Sequence, residues 1–333
     1  MALILAIDLG SILMDGLRAA VGVQAVYYAL AAVGLNLQFG FAGLLNFGSV
    51  ASALVGAYTA AITVDNGGSI WLAIILGMFA AGLLGLLMGL PTLRLRADYL
   101  AIATISVAEI LRVVTNSGRT QSVTGGPIGL KGVATGFYAV NPIPEGRYGW
   151  GSFSFNHRTL FLMIVGWTLV ALACWLVWML TRSPWGRLLR AVREDEEATR
   201  ALGKNVFGMK LQAFVIGSVI GGLAGMVFAF EGSAVNPTFF VAQTTFNWYL
   251  VVILGGVATI FGPPLGAIVY WFVISMINAL LIQLIGPDGW WIIDSTDTGA
   301  VRYVIVGIAI VLLLVFRPQG LLGNKEEAMI GER

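Results

Sequence analysis

The stretch Arg182–Lys210 reads R-S-P-W-G-R-L-L-R-A-V-R-E-D-E-E-A-T-R-A-L-G-K-N-V-F-G-M-K and holds seven of the nineteen Lys and Arg residues of the chain. Long apolar runs flank it, 159–181 before and 206–230 after. A chain of 333 residues that is 58% hydrophobic and only 11% charged has too little charge to cover a soluble globule. The flanking runs therefore read as membrane crossings, and the charged stretch as the wet piece between them. Seven positive charges on one short loop assign that loop to the cytoplasm.

Working outward, a crossing needs about 20 apolar residues. Nine segments meet that need: 20–39, 43–64, 70–93, 98–115, 159–181, 206–230, 243–262, 265–286 and 300–317. The fold expected is an all-α polytopic membrane protein of about nine segments (eight to ten), forming one permease-like domain over 1–333. The turns at 39–43 and 262–266 are too short for a polar loop, so either marks a broken or re-entrant helix. Residues 2–17 carry Asp8 and Asp15 among apolar neighbours, which suggests a short interfacial helix. The N-terminus has no basic leader region, so it does not read as a cleavable signal.

With the N-terminus outside and the C-terminus inside, twelve Lys and Arg fall in the cytoplasm and seven outside. The loop 286–299 carries only acidic charges (Asp288, Asp294, Asp297) and suits the outside. Residues 116–158 form the large external piece, opening on Thr124-Gly125-Gly126-Pro127 and then rich in aromatics from Phe137 to Phe155. They read as membrane-interface anchors or as a cap on which a soluble partner docks. Residues 318–333 form a cytoplasmic tail.

Several function classes drop out. The chain has no G-x-x-x-x-G-K-[ST] phosphate loop, so it does not hydrolyse ATP by the usual route. One Cys (Cys174) and one His (His157) exclude a disulfide framework and a His-rich metal centre. No Gly-x-Ser-x-Gly elbow presents a nucleophile. Neither a catalytic residue nor a bound cofactor is expected.

Polar groups inside crossings are costly and therefore informative. Asn36 and Gln38 close the first segment, Asn46 and Ser49 open the second, and Thr104 and Glu109 lie in the fourth. Each is either an interhelical hydrogen-bonding group or part of a solute pathway, and Glu109 has Arg112 three residues on as a simple partner. Gly217, Gly221 and Gly225 repeat every fourth residue and favour close helix packing. Gly255, Gly256, Gly262 and Pro263 mark a candidate unwound, gating segment, with 40–48 as its counterpart in the first half. Paired interruptions of that kind flank transport routes.

Within 182–210, Ser183 and Pro184 start a helix. Leu188, Leu189 and Val192 then fall on one face, with Arg187, Arg190 and Arg193 on the other. Glu194, Asp195, Glu196 and Glu197 begin a second helix at the end its dipole favours. Ala198 and Ala201 give it a small-residue side, and Gly203 stops it. Such a unit suits docking on another protein; the plainer alternative is a solvated loop that only sets topology.

Six stretches together carry a resemblance. They are G-L-N-L-Q-F-G-F-A-G-L-L-N-F-G (34–48), A-D-Y-L-A-I-A-T-I-S-V-A-E-I-L-R (97–112), T-G-G-P-I-G-L (124–130), R-A-V-R-E-D-E-E-A-T-R-A-L-G (190–203), G-G-V-A-T-I-F-G-P-P-L-G-A (255–267) and F-R-P-Q-G-L-L-G (316–323). Over nearly its whole length the chain resembles the permease family of ABC importers for branched-chain amino acids, in its second, LivM-type membrane subunit. The resemblance implies a bacterial inner-membrane protein with a fold similar to the vitamin B12 importer class (type II). Its implied partners are a second homologous permease, two cytoplasmic ATPase subunits that use ATP and Mg, and an external solute-binding protein. By position, Arg193, Glu194, Asp195, Glu197, Ala198 and Gly203 fall in the ATPase-coupling motif. Thr199 departs from it, standing where the general motif has a second Ala. Related permeases carry urea and short amides, so a permease for these or another small polar solute is the alternative within the family. The rival from another class is a stand-alone secondary transporter or channel.

Overall fold

The computed structural model describes residues 9–151, 153–285 and 319–323, with a few isolated positions between 299 and 308. Nearly all of the acidic loop 286–299, and most of the expected crossing 300–317 and of the tail 318–333, lie outside the described residues. In chain order come α1 (Leu9–Val21), α2 (Val23–Asn36) with a π-helical turn (Leu37–Phe41), α3 (Ser49–Asp65), α4 (Ile70–Thr92) and α5 (Ala97–Thr115). A connecting region follows with α6 (Gln121–Thr124), β1 (Leu130–Lys131), α7 (Thr135–Ala139), β2 (Arg147–Trp150) and β3 (Phe153–Asn156). Then come α8 (His157–Arg182), α9 (Pro184–Glu194), α10 (Glu196–Ala201), α11 (Val206–Gly232), β4 (Ala234–Val235), α12 (Ala242–Gly255) and α13 (Gly262–Ile285).

The protein is mostly helical, as expected, and the described residues alone do not confirm the expected count of nine crossings. Among the described residues four helices are long and apolar enough to cross a bilayer, α4, α8, α11 and Gly262–Leu284 of α13. A fifth is gained if α1 and α2, bent by 43° at their junction, count as one. The reasons are local. The segment expected over 43–64 starts late, at Ser49, because residues 42–48 are spent on a turn, and α3 has only 17 residues. The one expected over 243–262 is cut after 14 residues, at Gly255. α5 is long enough, yet Asp98, Glu109 and Arg112 put three charges along it. The interfacial helix expected over 2–17 is instead α1, which runs on to Val21 and packs along α13.

α11 is the hub and packs on α2, α3 and α4. Lipid tails are as apolar as leucine, so helices in a bilayer associate by close packing rather than by escape from water. The glycine row makes that approach possible. A Cβ on Gly225 would stand 2.0 Å from the carbonyl oxygen of Ala53, and one on Gly34 would stand 2.6 Å from that of Gly217. Neither neighbour is a side chain that can swing away. Gly225→Val is therefore expected to separate α11 from α3. In detergent the variant should melt at least several degrees below the wild type, since overpacking costs about 1–3 kcal/mol.

The two ends of α11 differ. At its C-terminal end the connecting region closes over it: β1 pairs antiparallel with β4 through Leu130↔Val235, and the Tyr138 hydroxyl donates to the carbonyl of Phe230 at 2.9 Å. At its N-terminal end Lys210 is ion-paired with Glu196 of α10. With 27 residues at a rise of about 1.5 Å each, α11 holds the connecting region and the α9–α10 pair about 40 Å apart, close to the thickness of a bilayer with its headgroups.

Candidate functional site

The first part of the site is the α9–α10 surface. Pro184 opens α9 at its first turn, and the helix buries Leu189 and Val192 while Arg187 and Arg193 stay exposed. The indole N–H of Trp185 donates to Oε1 of Gln212 at 2.8 Å, and Arg190 Nη2 donates to the carbonyl of Thr181 at 3.0 Å. These bonds tie α9 to the ends of α8 and α11, so it behaves as a strut rather than a loose loop.

Asp195 separates the two helices and caps the second, its carboxylate accepting the Ala198 N–H at 2.9 Å. Glu196 is held by Lys210 and by Arg200, the latter at 2.7 Å. That leaves Glu197, Ala198, Ala201 and Leu202 exposed, and Gly203 ends the turn with a φ of 74° that favours glycine. Thr199 is buried, and its hydroxyl donates to the carbonyl of Asp195 at 2.8 Å. The departure at this position therefore faces inward, away from the exposed side. Removing the cap with Asp195→Ala is expected to cost α10 about 1 kcal/mol, read as about fivefold faster amide exchange over 196–201 with α11 unaffected.

Beside this surface lies a cleft of about 800 Å³ lined by Arg94, Arg96, Glu194, Glu197, Arg200 and Lys210 among others. The α4–α5 turn thus shares one end of the molecule with the α9–α10 pair.

The second part is a clasp between two broken helices. α9 reaches it directly: a methyl placed on Gly43, whose φ is 68°, would lie 3.2 Å from Cγ of Arg193. From there the π turn leads back into α2. Gln38, buried, donates through Nε2 to the carbonyl of Phe214 in α11 at 2.8 Å and accepts from Asn46 Nδ2 at 2.9 Å. Asn46 in turn accepts the N–H of Gly48 at 3.1 Å.

Asn36 makes the cross-link. Its Nδ2 donates to the carbonyl of Thr259 at 2.7 Å, and its Oδ1 accepts the N–H of Ala258 at 2.9 Å. Those two residues sit in the break 256–261 between α12 and α13. Ala258 holds a positive φ of 59°, unusual for a residue with a Cβ. The C-terminal side of the chain also reaches here: the N–H groups of Leu321 and Leu322 donate to the carbonyls of Leu254 (2.9 Å) and Gly255 (3.0 Å). They satisfy the last two carbonyls of α12.

The structure thus brings Asn36, Gln38 and Asn46 together with the break, which Gly255 and Gly256 enter and Gly262 and Pro263 leave as the start of α13. Ser49 is buried at the head of α3, and Thr104 is buried, its hydroxyl bonded to the carbonyl of Ala101. Glu109 stands elsewhere in character: about half exposed on α5, it accepts two hydrogen bonds from Arg112 at 2.9 and 2.5 Å. Sequence reading missed Leu202, an apolar side chain 78% exposed in the middle of a charged surface. It also missed Thr245, fully buried, whose hydroxyl accepts the N–H of Val50 and ties α12 to the start of α3. Thr245 stands at the polar start of α12 with Gln243, Thr244 and Asn247, and nothing in that pattern singles it out from them.

The chain has known relatives in sequence. The family described as branched-chain amino acid transport system / permease component matches residues 17–314. The high-affinity branched-chain amino acid transport system permease protein LivM of Salmonella typhimurium is 32% identical over 91% of this chain and 69% of its own length. The probable branched-chain amino acid transport permease protein LivM of Methanocaldococcus jannaschii is 25% identical over 90% of this chain and 91% of its own. The solved complex of PsaBC from Streptococcus pneumoniae with a Fab aligns over 96% of this chain and 95% of that one at 13% identity, with a TM-score of 0.42, too slight a likeness to bear on the fold.

Proposed function

This chain belongs to the family of permease components of branched-chain amino acid transport systems, and we propose that it is the membrane subunit of an ATP-driven importer of branched-chain amino acids. The α9–α10 surface faces the cytoplasm and docks on an ATPase subunit; the connecting region 116–158 faces outward and receives a solute-binding protein. A second, related permease completes the pathway. ATP and Mg are used by the partner ATPases, and this chain supplies a route and two conformations.

The observation that carries this reading is the continuous line from the docking surface to the clasp. Arg193 abuts Gly43, Gly43 leads into the π turn, and Asn36 grips the break between α12 and α13. A π turn and an irregular break are the places in a helix bundle where backbone can rearrange without losing a whole ladder of hydrogen bonds. When the ATPases close, α9 pushes on the Gly43 turn, and the clasp carries that displacement to the end of α12. Selectivity rests mostly with the binding protein, because the clasp itself consists of neutral amides already bonded to protein.

The test is affinity purification of the tagged chain from its own operon in mild detergent. An ATPase and a second permease are expected in the eluate in stoichiometric amounts. A chain that purifies alone and moves solute without ATP would instead be a secondary transporter or channel, and the proposal would fall.

A further inference from the structure

Apart from the clasp and the docking surface, one cavity gathers charge of both signs. It holds about 480 Å³, and Asp15, Arg18, Gln24, Phe155, Glu231 and Ile282 are among its walls. It lies at the end of α11 opposite the α9–α10 pair, between α1, α13 and the β2–β3 hairpin. The Arg18 guanidinium rests over the ring of Phe155 at 5.7 Å. Among the described residues, no ion pair joins Arg18 to Asp15 or to Glu231. In a chain with only 36 charged residues, one guanidinium and two carboxylates around a single hollow, none paired with another, complement a ligand that itself carries both charges.

Exposed aliphatic side chains stand beside the hollow's charged residues on α1 and in its α13 wall. Met14, one helical turn before Arg18, is exposed, as are Leu13 and Leu17 on the same helix, and Ile282 in the wall is 57% exposed. A hollow with three charged side chains in a partly apolar wall, next to exposed aliphatic surface at the end of a membrane-length helix, is the geometry of a headgroup site with acyl chains running past it.

We propose that this cavity binds phosphatidylethanolamine. Its phosphate pairs with Arg18, its ammonium with Glu231 and Asp15, and its chains lie along Met14, Leu17 and Ile282. A free amino acid shares the zwitterionic headgroup chemistry but has no chains for that border. Phosphatidylcholine has the same charges, yet its trimethylated nitrogen offers no N–H to a carboxylate. The proposal stands independently of the transport reading, because it concerns only which lipid the protein retains.

The assembled complex, placed in nanodiscs of equal phosphatidylethanolamine, phosphatidylcholine and phosphatidylglycerol, can be analysed by native mass spectrometry for retained lipid. The wild type is expected to keep phosphatidylethanolamine over phosphatidylcholine by about tenfold, the effect of one or two charge-assisted hydrogen bonds. Glu231→Gln should bring that ratio close to one, Arg18→Gln should lose both zwitterionic lipids, and Arg18→Lys should retain most of the binding while confirming that the site tolerates substitution. A wild-type ratio equal to that of the bulk lipid would overturn the proposal. So would displacement of the retained lipid by millimolar leucine, which would assign the hollow to free amino acid.

Discussion

Asn36→Leu is expected to abolish ATP-dependent uptake, by at least tenfold, while leaving the complex assembled. The substitution is close in volume, so packing between α2 and α13 survives. It strands the N–H of Ala258 and the carbonyl of Thr259, each part-buried and bonded to Asn36 alone in its side-chain contacts. An unsatisfied buried polar group costs about 1–3 kcal/mol, so the break at 256–261 loses its reason to stay in register with the π turn. The expected signature is a split: ATP hydrolysis continues, and solute transport stops. Gly40→Ala should show the same split, because its methyl would fall 2.2 Å from Oδ1 of Asn36. Loss of hydrolysis together with transport, or a complex that no longer forms, would mean that Asn36 is merely structural.

Leu202→Asp is expected to do the opposite and remove the ATPase from the complex. A large apolar side chain 78% exposed on a charged surface is unfavourable unless something covers it, and small neighbours at Ala198 and Ala201 leave room for a groove to close around it. Loss of a central apolar anchor in an interface costs about 2 kcal/mol or more, roughly a thirtyfold weaker association. The purified variant should carry the second permease but little ATPase, with helix content unchanged. Glu197→Lys, at another exposed position of α10, tests charge rather than shape and should weaken the association less.

Much of the α9–α10 surface is legible in the sequence. Ser183-Pro184 starts α9, Leu189 and Val192 define its buried face, and Gly203 stops α10, because caps, periodicity and a left-handed stop are local properties of the chain. The inward face of Thr199 could not be read in this way, since six residues of helix give too few turns to fix a face. Leu202 was passed over because a single leucine beside a glycine carries no periodic signal. The clasp was half legible. Its two interruptions stood out as glycine-rich breaks, but the bond from Asn36 to Ala258 spans 222 residues, and no local pattern encodes such a pairing. Apolar length does not equal helix length: α3 and α12 each give up residues to the irregular backbone that builds the clasp. Membership of the permease family was legible in six short motifs, several of which lie in the parts that proved irregular: the π turn, the break and the 319–323 turn.

The most direct test of the account is solute uptake into proteoliposomes holding the purified complex with its binding protein. The expected result is accumulation of radiolabelled leucine that requires ATP and Mg, with Asn36→Leu hydrolysing ATP yet accumulating nothing. Leucine movement by this chain alone, without ATPase subunits or ATP, would contradict it.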